Sequence, residues 1–150
     1  MYYITHLYVK LFVVVTTLFF LVSSCSEIST EQQVEAQIKN MQQAISDKSL
    51  SDFMDYFTKD FIGNKTLTRD DLRRLIFFHF RRNRNIETYK WQADIKVEKE
   101  IVKVDIYVIV SGSNKVLPER GRIYTINSSW KKKDGSWLIV KASWKDTLLD

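Results

Sequence analysis

Cysteine occurs once in these 150 residues, at Cys25, and proline once, at Pro118. A single cysteine excludes an intrachain disulfide and every zinc or iron–sulfur pattern built on several thiolates. The only histidines are His6 and His79, so a zinc site made mainly of imidazoles is excluded too. Four glycines and one proline rule out collagen-like and low-complexity sequence. No phosphate-cradling Walker loop, dinucleotide fingerprint, EF-hand loop or His-Glu-x-x-His pair is present, and no Gly-x-Ser-x-Gly elbow. No cofactor and no metal is therefore expected. What remains is 45% hydrophobic and 13% aromatic, which is the composition of a folded chain. The length suits one domain.

The longest apolar stretch lies at the start. Leu11 to Val22 follows the lone basic Lys10 and is followed by Ser23, Ser24 and Cys25. Twelve residues as a helix reach about 18 Å, short of a hydrocarbon core of about 30 Å. A basic residue, a short apolar core and small residues at its end are the parts of a secretory signal. Val22-Ser23-Ser24-Cys25 resembles the bacterial lipobox. The resemblance implies cleavage before Cys25, diacylglyceryl modification of its thiol and anchorage of the chain in a membrane. Ser26 in place of an Asp implies the periplasmic face of the outer membrane of a Gram-negative bacterium. The expected organisation is a signal peptide at 1–24, the lipidated Cys25 with a tether to residue 30, and one domain at 31–150. Removing residues 1–24 takes away Lys10 and no acid, so formal charge falls from +5 to +4.

Periodicity divides the domain in two. Val34, Ile38, Met41 and Ile45 recur at spacings of four, three and four, which predicts a helix over 31–47. Phe53, Phe57 and Phe61 predict a second helix over 51–61. Thr68-Arg69-Asp70-Asp71 has the form of a capping box and opens a third helix to about Arg82, with Leu72, Leu75, Ile76, His79 and Phe80 as its apolar stripe. Beyond Arg84 the period becomes two. Tyr89, Trp91, Ala93, Ile95 and Val97 alternate with polar residues. Ile101 to Val110 reads as a central strand covered on both faces. Leu117-Pro118-Glu119 breaks the chain, and Lys133-Asp134-Gly135 is a hairpin turn between strands 122–130 and 137–144. Helices first and strands later indicate an α+β fold with three N-terminal helices on one face of a curved, mainly antiparallel sheet of about four strands.

From Glu31 to Lys145 the chain resembles the nuclear transport factor 2-like, or SnoaL-like, superfamily. The stretch Trp130 to Trp144 is similar to the last hairpin of such domains. Asp60-Phe61-Ile62-Gly63, Thr68-Arg69 to Leu72-Arg73, and Leu117-Pro118-Glu119 with Gly121 and Tyr124 resemble small proteobacterial members without an assigned activity. The resemblance implies a cone whose sheet closes over a hollow. It does not imply one function, because isomerases, cyclases, dehydratases, transport adaptors and secretion subunits share that cone.

The candidate ligand-binding residues are His79, Trp91, Tyr107, Arg122 and Tyr124. The helical wheel points His79 inward, either as a cavity base or as a core histidine. Trp91 and Tyr124 suit an apolar wall, and Arg122 suits an anion clamp at the mouth. Asp94 and Asp105 are the carboxylates that steroid-isomerase-like chemistry would use, with Tyr107 and Tyr124. Their spacing does not reproduce that motif, and parity turns Asp94 outward and Asp105 to a partly covered face. No catalytic residue is assigned. The arginines from Arg69 to Arg84 form a solvated helix face or a contact for anionic lipid; nucleic acid is not expected as a partner of an exported chain.

Three classes of function remain open to these residues. The first is a non-catalytic envelope lipoprotein that binds a small apolar ligand or an envelope protein. The second is a small isomerase or hydro-lyase with a polar residue in the hollow. The third is a subunit of a secretion or envelope assembly. The first needs the fewest special residues and is the expectation. Many members of the superfamily dimerise through the sheet, and nothing in the sequence decides whether this chain forms a homodimer.

Overall fold

The computed structural model describes residues 28–113 and 120–147. The signal segment, Cys25 and the Leu117-Pro118-Glu119 break lie outside the described residues. Helix α1 spans Thr30–Ser46 and begins at a capping box in which the Ser29 hydroxyl accepts from the Gln32 N–H and the Gln32 side chain accepts from the Ser29 N–H. Val34 and Ile38 are buried and Met41 and Ile45 pack against the same core, as their spacing predicts. The helix ends in a Schellman arrangement: Ser49 N–H donates to Ala44 and Lys48 N–H to Ile45. Lys48 takes the left-handed position there, at φ 53°, where glycine is the usual occupant.

The phenylalanine triplet is divided between two kinds of structure. Helix α2 covers only Leu50–Met54, and strand β1 runs over Phe57–Gly63. The predicted helix over 51–61 is therefore half strand. A spacing of four places residues on one face at either period, 3.6 or 2, so Phe53, Phe57 and Phe61 could not discriminate. Their rings meet in sequence at centroid separations of 5.2 and 4.9 Å, tilted in the first pair and edge-to-face in the second, and all three are buried.

Strand β2 (Leu67–Thr68) leads into helix α3, Arg69–Arg82, through the predicted capping box. The Asp71 N–H donates to the Thr68 hydroxyl, and the Asp71 carboxylate accepts from both Thr68 groups. The Thr68 hydroxyl, assisted by its N–H and by Arg74, holds the Asp71 carboxyl below the usual aspartate range. Arg69 turns back onto the carbonyls of Met54 and Phe57, at 2.8 and 3.2 Å, and fixes α3 against the start of β1.

Four long strands follow: β3 Asn85–Glu98, β4 Ile101–Ser113, β5 Arg120–Lys133 and β6 Ser136–Asp146. The sheet has six strands, not four, in the order β2-β1-β6-β5-β4-β3. The two additional strands are β1, from the expected second helix, and β2, which ends on the capping residue Thr68. Strand β1 lies parallel to β6 and every other pair is antiparallel. Register shifts between Phe57 and Ile62, between Lys90 and Gln92, and between Ser129 and Trp130 bend the sheet around the helices. The β5–β6 turn has Asp134 at φ 51° and Gly135 at φ 83°, the two-residue hairpin that Asp-Gly favours. Gly63 is required for a different reason: a Cβ there would lie 3.0 Å from the Trp144 ring.

The core lies between α1 and the concave face of the sheet. Val34, Val102 and Val104 have no exposure, and Trp130, Phe61 and Met54 almost none. Strand β4 is covered on one face only; Lys103 and Tyr107 on the other are exposed. Trp130 donates its indole N–H to Ser128 Oγ at 2.9 Å, and Ser128 Oγ donates to the Val104 carbonyl at 3.3 Å. Replacing Ser128 by Ala would leave a buried indole donor unpaired, so Ser128→Ala should cost about 1–3 kcal/mol in urea unfolding. An unchanged unfolding midpoint would show that the hydrogen bond carries no stability.

Candidate functional site

Antiparallel partners directly opposite each other share a face of the sheet. Two adjacent rows of such partners cross the concave face at the end away from Trp130. One row is Thr88, Val110 and Arg122; the next holds Val108, Tyr124 and Asp146. Ile106, Ile126 and Trp144 form the row behind them. The Arg122 Nη1 donates to Asp146 Oδ2 at 3.2 Å. The arginine side chain is 58% exposed and the aspartate 12%, so the pair has its cationic end outward. Tyr124 is half-buried beside it. An apolar surface thus ends in one ion pair with the guanidinium at the mouth.

The rim of this end is built by helix termini. Asn83, just past α3, sits over Gly112, where a Cβ would lie 2.7 Å from its Oδ1. Lys48, just past α1, reaches the Asn83 carbonyl at 3.4 Å. Gln42 of α1 donates to the Thr88 carbonyl. An open cleft of about 500 Å³ lies along this α1–β3 seam, lined by Glu35, Ala36, Lys39, Gln42, Thr88 and Tyr89. The Thr88 hydroxyl is buried without a hydrogen-bond partner among the described residues, as is Gln37 Oε1 of α1.

Of the five residues expected at a pocket, the structure brings two together, Arg122 and Tyr124. Tyr107 lies on the opposite, outer face, 45% exposed, with partners Thr125 and Gln92. Trp91 is the extra residue of the β3 bulge, and its side chain lies outside the described residues. That bulge reverses the alternation. Ala93 and Ile95 stay on the concave face, whereas Tyr89 turns to the outer face and is 56% exposed. His79 is exposed, which corrects its inward assignment. The inward row of α3 is the buried Leu72 and Phe80 with the partly buried Ile76 between them, and in the last turn it swings away from His79. Asp146 and Thr88 escaped the sequence reading. Only the strand register, which pairs Asp146 with Tyr124, reveals the first.

The carboxylates weighed for catalysis are engaged elsewhere. Asp94 is exposed and paired with Lys96 at 2.8 Å. Asp105 is on the outer face and accepts from Asn127 Nδ2 at 2.7 Å. The Asp60 carboxyl, lowered chiefly by its hydrogen bond with Thr58, lies exposed on β1. Among the described residues no group of three potential metal ligands occurs and no helix is long and apolar enough to cross a membrane. Because His79 is exposed, His79→Ala should change unfolding free energy by no more than about 0.5 kcal/mol. A larger loss in denaturant titration would place the imidazole back among the structural contacts.

No family model matches the sequence, and no curated protein matches it. Solved structures match the fold. Bd1075 of Bdellovibrio bacteriovorus superposes with a TM-score of 0.68 at 10% identity, over 77% of this chain and 41% of that longer one. A nuclear transport factor 2-like protein of Cytophaga hutchinsonii gives 0.66 at 13% identity, over 79% of this chain and 98% of its own. A Novosphingobium aromaticivorans protein named after scytalone dehydratase gives 0.64 at 15% identity, over 78% and 83%. Identities this low carry likeness of fold alone. With the three described helices on a bent, open, mixed sheet, the chain has the nuclear transport factor 2-like fold.

Proposed function

We propose that this chain is a cell-envelope lipoprotein, anchored through Cys25, whose domain binds a small ligand with an apolar body and an anionic or polar end. The observation that carries the ligand reading is the Arg122–Asp146 pair at the edge of an otherwise apolar concave surface. The half-buried Ile106, Ile126 and Trp144 offer contact area, and the outward guanidinium offers a donor fork for an oxyanion. The unpartnered Thr88 hydroxyl supports a polar group at the same end. Asp146 already neutralises Arg122, so binding is the better reading than proton transfer.

Anilinonaphthalene sulfonate has the required form, a flat apolar body with one anionic end. It should bind the folded chain saturably with a fluorescence rise, and Arg122→Gln should weaken it about tenfold, or about 1.4 kcal/mol. Absence of saturable binding would remove the ligand reading. The protein-partner reading would then take its place, with exposed Tyr89 and Tyr107 on the outer face as its surface.

The anchor is tested separately. Intact mass of the chain from the membrane fraction should correspond to an acylated species beginning at Cys25, and Cys25→Ala should abolish it. An unmodified thiol in the wild type would reject the lipoprotein and return Cys25 to the reactive groups.

A further inference from the structure

Helix α3 is made of four rows of side chains spaced by four residues. Leu72, Ile76 and Phe80 face the body of the domain, and Asp71, Leu75 and His79 form one flank. The other two rows are Arg73–Phe77–Arg81 and Arg74–Phe78–Arg82, side by side on the outside. Each phenylalanine therefore has an arginine one turn before it and another one turn after. Phe77 is 52% exposed and Phe78 55%. The Arg81 guanidinium lies 5.8 Å from the centre of the Phe77 ring. Arg74 is paired with Asp71, yet its side chain remains 75% exposed. Arg69 is not part of this surface, because it is bound to the Met54 and Phe57 carbonyls.

We propose that this face of α3 rests on an anionic lipid surface, with the two phenyl rings at the boundary of headgroups and acyl chains and the arginines on lipid phosphates. The rings have no donor or acceptor to offer, so leaving two adjacent ones in water is relieved by an apolar medium. The cationic frame requires that medium to be bordered by negative charge. Apolar tips within a basic rim are the features of a helix that lies in a membrane interface. A nucleic acid would satisfy the same charges, and the occupant chosen here rests in addition on the lipoprotein reading of residues 1–25.

The geometry is compatible with a second contact. Cys25 precedes Thr30 by five residues, at most about 18 Å of chain. Helix α1 then runs about 25 Å, and its far end meets Asn83, the residue after α3. Anchor and α3 thus hold opposite ends of α1, and both engaged would lay the domain along the membrane.

The test uses the full chain carrying Phe78→Trp on vesicles of brominated phosphatidylcholine, with and without phosphatidylglycerol, and the parent chain as background. The added indole should be quenched about twofold more on the anionic vesicles. Adding Arg73→Gln, Arg81→Gln and Arg82→Gln should abolish that difference, with circular dichroism unchanged. Equal quenching on both vesicles, or none on either, would overturn the proposal. So would capture of a homopolymeric RNA that releases the helix from the anionic vesicles. Failure of the anchor is read independently: an unacylated Cys25 with quenching intact removes the lipid anchor and leaves the helix contact standing.

Discussion

The indole of Trp130 can be withdrawn from water only because its single donor has an acceptor within reach. Ser128 supplies that acceptor from the same strand and donates its own O–H to the Val104 carbonyl on the next. This short relay sits at the floor of the cone. Val102, Val104 and Ile139 surround it on neighbouring strands, and Val34 and Ile38 close it from α1. Once the floor is dry, one face of β3 to β6 is committed to the interior and the other to the surface. Every later assignment of a residue to pocket or exterior follows from that commitment.

The bulges then decide where the commitment changes hands. An extra residue at Trp91 moves Tyr89 to the outer face while Ala93 and Ile95 remain inside. No shift occurs along β4 opposite β5, so Arg122 and Tyr124 stay on the face that holds Ser128 and Val104. Asp146 is brought beside them by β6. The result is a molecule with two unlike surfaces of interest. One is a concave apolar face ended by an ion pair, and the other is an arginine–phenylalanine face on α3, whose inner row meets the body of the domain.

Much of this was legible in the sequence. The apolar periodicity of α1, the Thr68–Asp71 box and the Asp134-Gly135 turn depend on neighbours a few residues apart, and they appear as expected. The phenylalanine triplet did not resolve, because a spacing of four suits both periods. His79 did not resolve either. A wheel gives the average apolar direction of a helix but not which row the rest of the protein covers. Tyr107 and Arg122 look alike as polar residues on long strands, and only the register separates the outer face from the inner.

By itself the sequence determined the apolar stripe of α1, the Thr68–Asp71 box that opens α3, the run of strands after Arg84, the lack of thiol and imidazole clusters, and the lipobox-like start. Those properties are local or compositional, and no distant contact can alter them. The tertiary structure decided the six-strand order with β1 parallel to β6, the solvent-facing position of His79 and the meeting of Arg122, Tyr124 and Asp146. These depend on pairing between segments about 80 residues apart, such as the Asn64 side chain accepting from the Trp144 N–H. Register and bulges, rather than residue type, choose the face on which each side chain emerges.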